Sequence, residues 1–505
     1  MWDALIQAIA LVFDPYVLWV CLASAIFGIF VGSIPGLTAT MATALLVPVT
    51  FFMPPVPAIG AIVTATAMAI FAGDIPAAML RIPGTPASAA YTDDSYQMSR
   101  KGLLDLNLGV NLVFSAMGGL FGVAILVVAA PLLAEIALNF SSFEYFWLAA
   151  LGLTCATFIA QSDPLKGFTS LLIGLAIATI GIDPAAGQPR FTFGSVELLQ
   201  GVSFIPAMIG VFAISELLRN IVAIGEAGEM VKQQVGNIFR GLAGVWRKYW
   251  RNFFRGSLIG TAIGALPGAG ADIAAWISYA VSKKFSKEPE KFGTGHIEGI
   301  VDSTSANNSA VAAAWIPALV FGIPGDSITA IVIGVLYMKN MNPGPSLFLQ
   351  NPQLIYAVFI IFVLANLLMV PVGWAAIKLA KQTLRTPRNI LLPIILMFCI
   401  VGAYAMTNSI YGVIIMLIMG IIGWLLEENG FPVGPIILGM VLGELFEQSF
   451  MTSMIKADGS LFGFFSRPIA GTLGVLTLLL WGYMLTRGLW RKSPDAPASE
   501  AGTDR

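Results

Sequence analysis

The chain has 505 residues, 57% of them apolar and only 11% charged, with a net charge of −1. Soluble domains carry roughly 25% charged residues, so an ordinary water-soluble enzyme is excluded, and there is no basic surplus to hold nucleic acid. A single histidine, His296, excludes a histidine-based metal centre or catalytic triad, and Cys21, Cys155 and Cys399 all sit in apolar runs as small core residues.

Taken in chain order, residues Met1 to Pro15 hold Asp3 and Asp14 but no basic residue, so no cleavable signal is evident. Windows free of Asp, Glu, Lys and Arg then follow at Tyr16–Ile34, Leu106–Leu133, Gly167–Ile182, Leu198–Ser215, Leu354–Ala376, Asn389–Leu426 and Pro468–Thr486. A span needs about 20 largely apolar residues, so most of these windows are long enough to cross a bilayer. Asn389–Leu426 is interrupted by Thr407-Asn408-Ser409 and reads as two spans. Counting broken segments, the expectation is an all-α polytopic membrane protein of about 12 membrane elements. A membrane β-barrel would show short alternating segments, and these are absent.

Two Pro-Gly breaks fall inside apolar stretches of the first half, and a matching pair recurs in the second. The first copy reads Gly28-x-x-x-Gly32-Ser33-Ile34-Pro35-Gly36-Leu37, then Arg81-Ile82-Pro83-Gly84-Thr85-Pro86. The second reads Gly260-x-x-x-Gly264-Ala265-Leu266-Pro267-Gly268-Ala269, then Gly322-Ile323-Pro324-Gly325-Asp326-Ser327. Proline removes a backbone donor and glycine tolerates the open backbone that results. Such breaks survive in hydrocarbon only where protein or a water-filled cavity satisfies the freed groups, and paired breaks in two halves point to a transporter's binding site. The Gly28/Gly32 and Gly260/Gly264 spacings read as close helix packing.

The pattern divides the chain into a first repeat unit (14–221), a connector (222–255), a second repeat unit (256–447), a final span (448–492) and a disordered tail (493–505). The connector mixes aromatics with Arg240, Arg247, Lys248, Arg251 and Arg255 and reads as a helix lying on the cytoplasmic leaflet. Lys378, Lys381, Arg385 and Arg388 fill one loop, and Arg487, Arg491 and Lys492 follow the last span. The positive-inside rule puts all three clusters in the cytoplasm and the amino terminus outside. Copy one is then entered from a segment without cations and copy two from one with five, which is the mark of an inverted repeat. Arg255–Leu266 is too short to cross, and Ile273–Ser282 ends at Lys283-Lys284, so the break at Pro267-Gly268 reads as a re-entrant hairpin. By symmetry, Tyr16–Met53 dips from the other face.

Ionisable and small polar residues gather at the breaks. Asp74 and Arg81 precede Pro83-Gly84 and Asp93 and Asp94 follow it, while Asp272 and Asp326 follow the later breaks. Thr38, Thr40, Thr85, Ser88, Thr304, Asn307, Asn308, Ser309, Ser327 and Thr329 accompany them. Half-helix amino ends favour anions and carboxyl ends favour cations, so a carboxylate can sit beside a coupling cation. Each residue also has a structural reading. Asp74 and Arg81 lie on one helix face and can pair, Asp93 and Asp94 can cap a surface segment, and Asp326 can cap the next helix.

These residues carry a resemblance. Pro35-Gly36-Leu37, Leu46-Val47-Pro48-Val49-Thr50-Phe51, Ile82-Pro83-Gly84-Thr85-Pro86-Ala87-Ser88-Ala89, Leu266-Pro267-Gly268-Ala269-Gly270 and Phe321-Gly322-Ile323-Pro324-Gly325-Asp326-Ser327 with Asn342-Pro343-Gly344-Pro345 resemble the large membrane subunit of the tripartite tricarboxylate transporters, the TctA family. The resemblance implies cation-coupled carboxylate uptake across the bacterial inner membrane, driven by Na+ or H+ and without a further cofactor. It also implies a periplasmic solute-binding protein and a small four-span membrane subunit as partners. The family's usual Tyr- and Gly-rich stretch and Leu-Asn are replaced here by Ala72-Gly73-Asp74-Ile75-Pro76 and Arg81. An added arginine suits a carboxylate by bidentate pairing, or it neutralises Asp74.

The expected substrate contacts are Gly36, Thr38, Arg81, Gly84, Thr85, Ser88, Gly268, Asn307, Asn308, Gly325 and Thr329, and Asp272 and Asp326 are the coupling-cation candidates. An enzyme is not expected. An intramembrane aspartyl protease needs Gly-x-Gly-Asp with Tyr-Asp on another helix, and neither occurs. A passive channel or assembly scaffold is the remaining alternative.

Overall fold

The computed structural model describes residues 2–157, 164–183, 187–222, 236–268, 270–384 and 388–490. Residues 223–235 of the connector, Ala269, Arg385, Arg491, Lys492 and the tail 493–505 lie outside the described residues. So do the side chains of Cys155, Lys381, Arg388 and Arg487.

Helices dominate. In the first half they are α1 (Trp2–Val12), α2 (Pro15–Ser33), α3 (Ala39–Phe51), α4 (Pro55–Ala72), α5 (Asp74–Leu80), α6 (Thr92–Met98), α7 (Leu104–Ala137), α8 (Ser142–Thr157), α9 (Pro164–Ala178), α10 (Phe204–Ile209) and α11 (Ser215–Val222). The second half has α12 (Leu242–Gly264), α13 (Gly270–Phe285), α14 (Ile297–Ala313), α15 (Trp315–Phe321), α16 (Ser327–Met338), α17 (Pro345–Gln350), α18 (Pro352–Thr383), α19 (Arg388–Thr407), α20 (Ile410–Glu428), α21 (Gly434–Lys456) and α22 (Pro468–Trp490). Among the described residues the strands are one short antiparallel pair, Gly181–Ile182 with Pro189–Arg190. Among the described residues six helical stretches are long and apolar enough to cross a membrane, and shorter apolar helices include Ala39–Phe51 and Ser327–Met338.

Local chemistry sets the ends of the broken elements. Asp14 accepts the Tyr16 N–H at 2.7 Å and Pro15 occupies the first turn, which starts α2. α2 stops at Ile34 because Pro35 has no N–H to continue the ladder. Thr38 restarts the helix by capping α3 through the Met41 N–H at 3.1 Å. From Leu242 on, the basic, aromatic part of the connector leads into the third break, at Pro267-Gly268. α12 runs from Leu242 to Gly264 as one helix, bent at Tyr249 (φ −118°, ψ 20°). The separate surface helix expected from the sequence is therefore the first half of a longer element. Its aromatics divide between two environments, with Tyr249 and Phe253 buried and Trp246, Trp250 and Phe254 exposed. Helical hydrogen bonding is local and does not stop at the point where composition changes.

Two helices occupy the centre. Every residue of α4 from Val56 to Ala72 is buried, as is every residue of α14 from Gly299 to Ala313. α4 is nearly all apolar, as a fully enclosed helix should be. α14 encloses Asp302, Ser303, Thr304, Ser305, Asn307, Asn308 and Ser309, so its polar groups must find partners within the protein.

α2 lies directly on α4, and α12 on α14, through matching glycines. A Cβ added to Gly28 or Gly32 would stand 2.8 or 2.7 Å from the Cα of Ala65 or Ala69. A Cβ on Gly260 or Gly264 would stand 2.7 or 2.6 Å from the Cα of Ala306 or Ala310. The close-packing reading of these glycines is what the helices use. In each copy the contacts advance in step along both helices, so α2 runs parallel to α4 and α12 to α14. α3 and α13, which connect each pair in sequence, fold back alongside it. Thr43 on α3 bonds Thr66 on α4 at 2.9 Å, and Ser278 and Ser282 on α13 both bond Asp302 on α14.

The halves also grip each other at their ends. Lys339, just after α16, donates to the carbonyls of Phe51 and Met53 at 2.8 and 2.7 Å, immediately before α4. Near the end of α6, Lys101 donates to the Thr294 carbonyl at 2.7 Å. Asp94 accepts the N–H groups of Gly293, Gly295 and His296 at 2.9, 2.7 and 2.8 Å, immediately before α14. The exit of each Pro-Gly pair is thus tied to the entrance of the other half's central helix.

Candidate functional site

The four breaks are joined in series by close contacts. Gly84 donates to the Gly73 carbonyl at 3.1 Å, and a Cβ there would lie 2.5 Å from the Gly73 Cα and 3.1 Å from the Gly32 carbonyl oxygen. That brings the second break onto the first. Asp272, after the third break, accepts the Ala87 N–H at 3.1 Å, which joins the halves across 185 positions of sequence. Gly270 has φ +65°, and a Cβ there would come within 2.8 Å of the Asp326 Cβ. Gly325 ties the fourth break to the third a second time, since a Cβ there would lie 2.9 Å from the Ala314 Cβ and 3.2 Å from the Gly264 carbonyl oxygen. The contacts of Gly84 with Gly32 and of Gly325 with Gly264 are equivalent positions of the two copies.

Gly36 turns through φ +88° and Gly268 through φ +79°, conformations open to glycine. The Gly36 carbonyl accepts the Asn220 side chain from α11 at 2.6 Å, so the first break is held from outside its own motif. Thr38 spends its hydroxyl on the α3 cap. Thr85 and Ser88 satisfy each other. Each backbone N–H donates to the other's hydroxyl at 3.1 Å, which fixes the turn after Pro83-Gly84.

Asp326 caps α16. Its Oδ1 accepts the Thr329 N–H at 2.7 Å and the Thr329 hydroxyl at 2.7 Å, and Thr329 Oγ1 accepts the Asp326 N–H at 2.8 Å. Removing that cap with Asp326→Ala is expected to cost about 1 kcal/mol of stability, read as a lower unfolding midpoint of the purified protein. An unchanged midpoint would show that the cap contributes nothing.

Arg81 and Asp74 do not pair. Arg81, at φ +60°, turns its side chain outward and bonds Asp93 at 2.7 Å, with both side chains more than half exposed. Asp74 is buried and its Oδ1 accepts the Tyr91 hydroxyl at 2.6 Å. The left-handed turn at Arg81 breaks the helical phase that would have aligned the two. Asn307 and Asn308 are both buried on α14. Asn308 reaches Met369 Sδ at 3.9 Å, and Asn307 Oδ1 has no hydrogen-bond partner.

Sequence reasoning passed over Tyr91, Asn220 and Asp302. Asp302 is fully buried and collects Arg255, Ser282 and Asn252 at 2.6 to 3.0 Å. An aspartate five positions before Asn307 on the same helix was the available signal. Beyond the breaks, a cavity of about 510 Å³ opens beside Phe321, Tyr337, Pro343 and Ser346, with Tyr145, Gln448 and Thr452 on its walls.

Residues 18–438 match the tripartite tricarboxylate transporter TctA family. The chain belongs to that family. It is the membrane component of a transporter, and not an enzyme. The TctA-family chain is 34% identical over 457 residues, 90% of each chain, to an uncharacterized 52.8 kDa protein in the TAR-I ttuC' 3' region of Agrobacterium vitis. It is 35% identical over 201 residues to a protein in the TAR-II ttuC' 3' region of the same organism, covering 40% of this chain and 83% of that one. No solved structure matches. As a multi-pass membrane protein of a tripartite system, the TctA-family chain works with other subunits.

Proposed function

We propose that this chain takes up a carboxylate solute across the bacterial inner membrane, coupled to Na+ or H+ and fed by a periplasmic solute-binding protein. A small four-span membrane subunit completes the complex. The observation that carries the reading is the meeting of the four Pro-Gly breaks around Gly84, Asp272, Gly270 and Gly325. Broken backbone from both halves is brought into contact there, as expected of a substrate site at the repeat interface of a transporter.

The same reading takes residues 14–221 and 256–447 as inverted repeats, with α2–α3 and α12–α13 as re-entrant hairpins. Support comes from the reciprocal end contacts. Opposite directions of α4 and α14 would let Lys339 meet the start of α4 while Lys101 and Asp94 meet the start of α14. Backbone around Gly36, Gly84, Gly268 and Gly325 would hold the carboxylate, with Arg81 as its entry partner. Arg81 is exposed and bonded only to a surface aspartate, so releasing it costs little.

Uptake of radiolabelled di- and tricarboxylates by cells expressing the three components tests the proposal. Accumulation should collapse with an ionophore and disappear without the solute-binding protein. Uptake indifferent to the ionophore would leave a passive channel. Arg81→Ala is expected to abolish uptake while shifting stability by less than about 0.5 kcal/mol. Unchanged uptake kinetics would remove Arg81 from the substrate path.

A further inference from the structure

We propose that Asp74, Tyr91, Thr304 and Asn307 form a binding site for a monovalent metal cation of sodium's class. This reading rests on the transport function and moves the coupling ion away from Asp272 and Asp326. Those two carboxylates already serve backbone groups, Asp272 holding Ala87 and Asp326 capping α16.

Asp74 is 1% exposed and Asn307 2% exposed. Asp74 Oδ2 and Asn307 Oδ1 are both without a hydrogen-bond partner. The two residues come from different halves, on α5 and α14, and the Tyr91 hydroxyl joins them. It donates to Asp74 Oδ1, and the side chains of Thr304 and Asn307 lie against it. Arg81, the cation nearest in sequence, is turned away to Asp93. A buried carboxylate without a counter-charge costs several kcal/mol, and orphaned acceptors add to that.

The donor set defines the occupant. All the groups are oxygens, which favour hard cations and exclude soft transition metals. A single carboxylate balances one positive charge, and a divalent ion would be left under-neutralised. A proton would settle on one Asp74 oxygen, whereas a metal ion accounts for the oxygens gathered from both halves.

The position explains coupling. Asp74 follows Gly73, whose carbonyl holds the Gly84 N–H. Asn307 follows Ala306, which packs on Gly260 of the third break's entry helix. An ion held between them draws together the helices that carry the second and third breaks. Substrate geometry and ion occupancy then become one equilibrium.

Thermal unfolding of the purified full-length protein, without carboxylate, tests the site in NaCl, KCl and choline chloride at equal ionic strength. A sodium-specific rise in the midpoint is expected. Asp74→Asn should abolish it, and Asn307→Ala and Thr304→Val should each raise the half-saturating sodium concentration about tenfold or more. If Asp74→Asn does not fold, the other two variants carry the test. The site is overturned if sodium leaves the wild-type midpoint unmoved, if all variants respond as wild type does, or if only pH moves it. Because no carboxylate is used, sodium binding without carboxylate uptake would sink the proposed function and leave this site standing.

Discussion

Gly264→Val is expected to leave a protein that inserts poorly and transports nothing. A Cβ at this position would stand 2.6 Å from the Ala310 Cα, and the Gly264 carbonyl oxygen is already 3.2 Å from where a Gly325 Cβ would be. The obstacle is backbone on both sides, so no side-chain rotation relieves it. Overpacking in a close-packed core costs about 1–3 kcal/mol, and rigid backbone puts this change at the upper end. The loss is also directed. Pushing α12 from α14 displaces the third break relative to the fourth, where positioning matters most. Gly32→Val should behave alike, since it meets Ala69 in the same way. Gly244→Ala supplies the control. No atom lies within 4 Å of its added Cβ, and exchanging glycine for alanine in a helix gains up to about 1 kcal/mol. Expression yield, unfolding midpoint and uptake of the three variants decide the matter. Wild-type behaviour of Gly264→Val would show that the helices separate freely.

Asp302→Ala is expected to be the most damaging single loss of a polar group. Asp302 accepts Arg255 Nη2 and Nε at 2.6 and 3.0 Å, Ser282 Oγ at 2.7 Å and Asn252 Nδ2 at 2.8 Å. These donors come from both arms of the α12–α13 hairpin, so one carboxylate fastens that hairpin to α14. Removing one partner of a fully buried pair costs about 3–5 kcal/mol, and the partial exposure of Arg255 puts this loss at the lower end. Arg255 keeps Glu298 only at 3.8 Å. Asp302→Asn retains acceptor capacity and should lose less. A midpoint for Asp302→Ala equal to that of Asp302→Asn would show that the retained acceptor contributes nothing.

The helical membrane architecture was legible because apolar length is a local property of the chain. The breaks were legible too, since Pro35, Pro83, Pro267 and Pro324 each stand beside a glycine, a pair that opens a helix more readily than the lone Pro131 or Pro371 inside α7 and α18. Their mutual contact was not, because Ala87 meets Asp272 across 185 positions and no periodicity records that. Asp74 and Arg81 misled for the opposite reason. Seven residues apart, they share a face only if the helix stays regular, and Arg81 adopts a left-handed turn. Asn220 and Tyr91 carried no signal of their own; each acquires its role from a partner that folding delivers. Thr38, Thr85, Ser88 and Thr329 were read as ligand contacts, and their hydroxyls bond neighbouring backbone in caps and turns. Short polar residues beside a broken helix serve that purpose as readily as ligand binding.

The lysine clasps at Lys339 and Lys101 bear on what can travel during a transport cycle. Each ties the end of one half's broken segment to the threshold of the other half's central helix. Neither half can therefore slide past its twin without surrendering both anchors. Under the proposed transport function, hairpins and Pro-Gly loops from both halves would then be carried as a single piece. What yields around it must be sought among the outer helices, beyond the reach of either lysine.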